Sequence, residues 1–355
     1  MDIRALLFTP ALIVLLLGLL SMGSNGRDSV SLQGEGSSFL YPQIQAWASE
    51  FTARNPGIII NYNPTGSGAG QSSFLKGVVD FAGSDPPLSR DVWEESWDRV
   101  VQMPVVIGMV AIVYNVPGVD ELRLDGEVLA LIYLGVIEYW DDERIRALNP
   151  GEDLPHERII AVHRSDSSGT TQVFTLFLHK SAPDVWGEDL VGKSIEWPVD
   201  DTGRGIGGKG NQGVLEAIRS NLYSIGYVEY AYAIKNNMKT AAIMNREGEF
   251  IKPSMEAAQA AALGALDSIP DSPDGDWSRA FQDIVYAPGS GSYPITSWSF
   301  LLFYKSYNDP AKADAVRRFI QWINVEGQAH IVDGYIPVPA QVRQVNLKAV
   351  EMIHG

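Results

Sequence analysis

Three times in this chain a β-rich run breaks into a short turn of glycine and hydroxyl residues and then into helical spacing, at residues 34–39, 66–70 and 165–171. Strands alternating with helices commit a chain to a mostly parallel α/β sheet, with functional loops at the C-terminal ends of the strands. The first unit runs from a strand over 29–36 to a helix over 41–55. Ile44, Trp47, Ala48 and Phe51 mark the buried face of that helix, and Asn55-Pro56-Gly57 stops it. Ile58-Ile59-Ile60-Asn61-Tyr62 opens the second unit, with a short helix expected over 71–76. A strand over 78–82 then leads to Gly83-Ser84-Asp85-Pro86-Pro87. The third unit is a strand over 159–163, a polar turn over 164–169 and a buried helix over 170–178. Two β-rich runs, 102–115 (interrupted by Gly108) and 293–304, exceed an ordinary strand and are candidates to cross between domains. A chain of 355 residues has room for about two.

One such turn is ordinarily no more than a helix cap. Glycine also lets a backbone approach a ligand closely, and the free N–H groups of a helix start carry about half a positive charge. Three turns of this kind, with Arg164 and Asp85 at similar strand ends, describe a pocket for a small oxyanion. The formal net charge of −16 argues against nucleic acid or an anionic membrane surface as partner. That field is screened within about 8 Å at physiological salt, so local dipoles and Arg164 decide anion binding.

Other chemistries find little support. The chain has no cysteine, hence no disulfide, thiolate metal site, Cys nucleophile or lipidated Cys. Its five histidines form no i, i+4 pair and no HExxH pattern, so no metal and no cofactor are expected. Residues 203–210 nearly spell a nucleotide-binding phosphate loop, but Gly210 stands where Ser or Thr should hold Mg²⁺; the segment reads as a structural loop near the cleft. His163, Asp166 and Ser168 are neighbours on one strand and turn, whereas a catalytic triad converges from separate elements. Trp93, Trp97, Trp140, Trp186 and Trp197 read as packing residues.

At the N-terminus, residues 5–20 are nearly all apolar and are followed by the small residues Ser21, Gly23 and Ser24. This pattern predicts a secretory signal peptide over 1–27, with an uncleaved membrane anchor as the alternative. Either places the body of the protein outside the cytoplasm.

The turns carry a family resemblance. Gly34-Glu35-Gly36-Ser37-Ser38-Phe39, Gly66-Ser67-Gly68-Ala69-Gly70, Phe81-Ala82-Gly83-Ser84-Asp85-Pro86-Pro87-Leu88 and Arg164-Ser165-Asp166-Ser167-Ser168-Gly169-Thr170 resemble the binding loops of the phosphate-binding proteins of phosphate ABC transporters. Gly207-Gly208-Lys209-Gly210-Asn211, the run from Gly226 to Ala233, and Tyr293-Pro294-Ile295-Thr296-Ser297 extend the likeness in order along the chain. The resemblance implies a two-lobe α/β fold of the type II periplasmic-binding-protein kind with two crossover hinge strands. Lobe I would hold 28–106 and 295–355, lobe II 107–294, with phosphate in the cleft between them. It assigns phosphate contacts to Ser38, the Phe39 N–H, Ser67, Asp85, Arg164, Ser168, the Gly169 N–H and Thr170, with Asp166 orienting Arg164. Ser38 stands where the family often has Thr, and Gly68 where a second Ser is common, which removes one donor. The partners implied are inorganic phosphate and a membrane permease–ATPase complex. The chain would act as a periplasmic monomer, with no catalytic residue. The alternatives are a secreted phosphohydrolase, or a phosphate sensor or scavenger, using the same pocket.

Overall fold

The computed structural model describes residues 29–355; the signal-peptide expectation lies outside the described residues. β1 (Val30–Gly36), α1 (Tyr41–Arg54), β2 (Ile58–Asn63), α2 (Ser67–Leu75) and β3 (Phe81–Ser84) form the first parallel unit, followed by α3 (Arg90–Glu94) and β4 (Val100–Asn115). The second region comprises β5 (Arg123–Leu124), α4 (Gly126–Tyr133), α5 (Glu143–Leu148), β6 (Ile160–Arg164), α6 (Gly169–Ser181), β7 (Gly205–Gly208), α7 (Gly210–Ser220), β8 (Ser224–Glu229) and α8 (Tyr230–Lys235). β9 (Ala242–Met244), β10 (Phe250–Ile251), α9 (Met255–Leu263) and α10 (Ser278–Ile284) come next. The chain ends with β11 (Thr296–Tyr304), α11 (Pro310–Val325), β12 (Ile336–Pro337), α12 (Ala340–Leu347) and α13 (Ala349–Met352).

The main sheet has the order β2-β1-β3-β11-β4-β8-β6-β7, with β12 also on β4; β10-β9-β5 form a small separate sheet. β4 joins the two lobes. Its sixteen residues span about 50 Å. Val100–Met109 pairs antiparallel with β11, and Val110–Asn115 pairs antiparallel with β8. The second crossing is Tyr293-Pro294-Ile295, leading into β11. The two crossings are bonded to each other at Val110, whose N–H donates to the Ile295 carbonyl at 2.8 Å and whose carbonyl accepts from the Tyr293 hydroxyl at 2.9 Å.

Alternation sets the first lobe: Ile58 and Ile60 turn into the core while Ile59 stays 40% exposed. Phe51, Phe81, Phe303, Phe319 and Trp322 pack ring to ring in that lobe. Tyr133, Phe174, Trp197 and Tyr227 do so in the second. Trp140, Trp186 and Trp197 are buried, as their packing role requires; Trp97 is half exposed, with Lys305 Nζ 5.5 Å from its ring centroid.

The structure departs from the sequence reading where glycine is used for proximity. Gly108 does not interrupt β4: a Cβ there would lie 2.5 Å from the Phe39 ring, so the glycine admits that side chain. α2 begins at Ser67, earlier than expected, and takes the glycine turn into its first turn. A Cβ on Gly70 would come within 2.4 Å of Gly36 Cα, so close packing on β1 outweighs glycine's poor helix propensity. β3 starts at Phe81 rather than 78, and Val78 is 70% exposed. Residues 203–213 are not merely a loop but hold β7 and the start of α7. A Cβ on Gly208 would lie 2.4 Å from Val214 N, so the strand and helix meet only through glycine.

Candidate functional site

Four helix N-termini converge where the two lobes meet. α1 and α2 come from the first lobe, and α6 and α7 from the second. The sequence pattern signals three; the fourth, α7, brings Asn211. Its backbone N–H and its Nδ2 both donate to Ser38 Oγ at 3.1 Å, and Nδ2 also donates to Thr170 Oγ1 at 3.2 Å. Ser38 and Thr170, from opposite lobes, therefore share one amide. Each accepts from the protein and retains its own hydroxyl proton for an acceptor in the cleft.

Arg164 ends β6 with a side chain that is 1% exposed. Asp166 grips it from below: Nε donates to Oδ1 at 2.7 Å and Nη2 to Oδ2 at 2.5 Å. The fork leaves Nη1 as the free corner, and it donates to Thr170 Oγ1 at 3.2 Å. Asp166 also accepts from the Gly210 N–H at 3.0 Å, tying the β6 turn to α7. The guanidinium and these N–H bonds hold its carboxyl below the usual range against the opposing effect of burial. Ser168 caps α6, its Oγ accepting from the Thr171 N–H at 3.1 Å, and Gly169 opens the helix.

Asp85 faces this donor set from the end of β3. Its Oδ1 accepts from Ser37 Oγ at 2.5 Å and Ser299 Oγ at 2.9 Å, and its Oδ2 from Ser67 Oγ at 3.2 Å. Ser299 sits beside the bulge that skips Val105, where β4 also accommodates Pro104. Burial pushes the Asp85 carboxyl up to about 6; the three serines and Arg164 oppose the rise. Protonation below about 6 would then remove the charge. Since the native group is raised above its unfolded value, the contribution of Asp85 to stability falls as pH rises from about 4 to about 6 and is constant above. Asp85→Asn removes this dependence, which chemical denaturation across that range reads directly.

The sequence-predicted residues are thus brought together: Ser38 and the Phe39 peptide, Ser67 and Asp85 on one side, Arg164, Ser168, Gly169 and Thr170 on the other. A Cβ on Gly169 would lie 2.5 Å from both Asp85 Oδ2 and Ser67 Oγ, so the lobes meet there without side-chain clearance. Further bonds cross the cleft. Gly68 N–H donates to the Ser167 carbonyl at 3.0 Å, Tyr232 OH to the Ser38 carbonyl at 2.7 Å, and Lys193 Nζ to Gln71 Oε1. Sequence reasoning missed Ser37, Ser299, Asn211, Tyr232 and Lys193. The matching glycine loop at 207–211 signalled Asn211; nothing local signalled Ser299. His163 turns away, with Nε2 2.8 Å from Asp200 Oδ1 and its ring stacked on Trp197.

Chemically, the cleft offers hydroxyl and backbone donors, one pinned guanidinium and one buried carboxyl acceptor. That set fits a small oxyanion which carries a proton.

Residues 23–325 match the model of a PBP superfamily domain. A phosphate-binding protein PstS of Methanocaldococcus jannaschii is 39% identical over 340 residues, 92% of this chain and 87% of that protein. That of Pasteurella multocida is 38% identical, over 88% of each. Among solved structures, a high-affinity periplasmic phosphate-binding protein bound with phosphate superposes with a TM-score of 0.71 at 22% identity, covering 92% of this chain and 99% of that one. A phosphate-binding protein from Stenotrophomonas maltophilia gives 0.68 at 20% identity, covering 90% and 94%. These two show the same two-lobe fold. With the superfamily match and close identity along most of its length, the chain belongs to the PstS family of phosphate-binding proteins.

Proposed function

We propose that this chain binds inorganic phosphate in the inter-lobe cleft, outside the cytoplasm, and delivers it to the permease and ATPase of a phosphate ABC importer. The observation that carries the reading is Asp85, a buried carboxyl acceptor set opposite Arg164 and the N-terminus of α6. Ser38, Ser168 and Thr170 hydroxyls, the Phe39 and Gly169 N–H groups and Arg164 Nη1 donate to phosphate oxygens; Ser67, expected as a phosphate contact, gives its one hydroxyl proton to Asp85 and supports that residue instead. Lobe I (28–106 and 295–355) and lobe II (107–294) close by bending at β4 and at the segment before β11. Phosphate touches donors on both lobes, so it binds the closed form better and shifts the population toward it. Residues 1–27 direct secretion, and the chain acts as a periplasmic monomer. The role is binding without chemistry, for which the divergent partners of Ser168 and His163 are consistent.

Selectivity tests the reading. At pH 7.5 Asp85 is ionised and accepts the proton of HPO₄²⁻; sulfate has none and meets an uncompensated carboxylate. Asp85→Asn should raise sulfate affinity at least tenfold, because the amide donates where the carboxylate repels. Lowering the pH through about 6 should do the same for the unmodified chain. Isothermal titration with sulfate at pH 7.5 and 5.5 measures both effects. Sulfate affinity indifferent to pH and to the substitution would contradict the role given to Asp85.

A further inference from the structure

Glu229 ends β8 and caps α8, its Oε2 accepting from the Ala231 N–H at 2.9 Å. It is fully buried, and its Oε1 finds no hydrogen-bond partner among the described residues. The ionisable groups that face it are Tyr335 from the segment before β12, Asp85 at the end of β3 and Tyr232 on α8; none is a cation. Each tyrosine has one proton to give. Tyr335 gives its proton to the Phe39 carbonyl at 2.5 Å, and Tyr232 to the Ser38 carbonyl at 2.7 Å. The Tyr335 hydroxyl adjoins the Glu229 carboxyl, and the Tyr232 N–H is directed at it with that of Ala231, but while those carbonyl bonds stand neither hydroxyl proton can also solvate a carboxylate. An ionised Glu229 would be a buried anion lacking a donor at Oε1, facing a second carboxyl.

We propose that Glu229 is a neutral carboxylic acid whose Oε1–H donates to the Tyr335 hydroxyl oxygen, making it a positioning residue for the Phe39 N–H. Burial, the largest influence on it, pushes this carboxyl well above the usual range, in keeping with that state. The two tyrosines fix the two peptide planes that flank Phe39. Tyr232 holds the Ser38 carbonyl, which directs the Phe39 N–H of the same trans peptide the opposite way. Tyr335 holds the Phe39 carbonyl, while the next N–H, of Leu40, donates to Ser37 Oγ at 3.0 Å. Ionising Glu229 would draw the Tyr335 proton from Phe39 and add a second negative charge facing Asp85, loosening the donor and opposing an anion together.

The functional half of this inference rests on the phosphate-binding reading; the protonation half does not, and the test separates them. First, the unfolding of the unmodified protein and of Glu229→Gln is compared from pH 5 to 9 without phosphate. Above about pH 4.3 the unfolded glutamate sheds its proton while the native one keeps it. Each pH unit should then cost the unmodified protein about tenfold in its folding equilibrium relative to Glu229→Gln, until the native group titrates. Parallel profiles, or a relative gain by the unmodified protein as pH rises, would overturn the neutral acid. Second, phosphate affinity is measured at pH 7.5. Glu229→Gln, which preserves a donor for Tyr335, should stay within about threefold of the unmodified protein, and Glu229→Ala should lose tenfold or more. A loss of more than tenfold in Glu229→Gln would overturn the positioning role, with or without a folded Glu229→Ala protein. Absence of phosphate binding in every form, the unmodified one included, would count against the phosphate reading and leave the unfolding comparison to decide the proton.

Discussion

Replacing Arg164 by alanine is expected to weaken phosphate binding by one to two orders of magnitude. The guanidinium is almost wholly buried and held rigid by two bonds to Asp166. Charge-assisted hydrogen bonds are worth about 1.5–3 kcal/mol each, so losing the one from Nη1 removes one to two factors of ten at roughly 1.4 kcal/mol to each. The substitution also strands Asp166, which is 13% exposed and then pairs only with the Gly210 N–H. Arg164→Lys should fall between, because an ammonium keeps the charge but cannot fill the fork that Asp166 presents. Titration calorimetry gives the affinities, and a thermal melt verifies that the variants are folded. An Arg164→Ala protein within tenfold of the unmodified chain would contradict the assignment of this residue to the site.

Gly169→Ala probes closure rather than charge. The new methyl would sit 2.5 Å from Asp85 Oδ2 and Ser67 Oγ and 2.7 Å from Pro86 Cδ, all on the opposite lobe. Asp85 cannot retreat easily, since Ser37, Ser67 and Ser299 hold it from three elements. Overpacking of this kind costs about 1–3 kcal/mol, or roughly 5- to 150-fold in affinity. Because the three nearest atoms all lie on the other lobe, each lobe should keep its fold. Small-angle scattering in saturating phosphate should report a more extended chain than the unmodified one. Unchanged affinity with an unchanged scattering profile would show that the lobes do not close on Gly169.

The sequence made much of this legible. The β-rich run over 102–115 announced a strand too long for one lobe, and β4 indeed changes partner from β11 to β8 at Val110. The turn through Ser168 and Gly169 read as leading into a helix from 170, one residue from the observed start, because a capping hydroxyl and the hydrogen bonds of a first turn are local. What stayed hidden was non-local or depended on glycine. Ser299 meets Asp85 across 214 residues, brought there by the pairing of β11 with β3 and by a bulge that no local pattern encodes. Asn211 lay in a matching glycine run, but its contact with Ser38 was hidden because that run has weak strand propensity, yet Gly208 forms β7 since only a residue without Cβ lets α7 pack so closely. Glu229 was visible as one residue of an aromatic-rich run, but its isolation is a property of burial.

The central claim is most directly tested by isothermal titration of the phosphate-stripped chain with phosphate, then with sulfate, at pH 7.5. The cleft described here predicts one site per chain, micromolar or tighter for phosphate, with sulfate producing negligible heat. A folded chain that takes up no phosphate, or takes sulfate equally well, would contradict it.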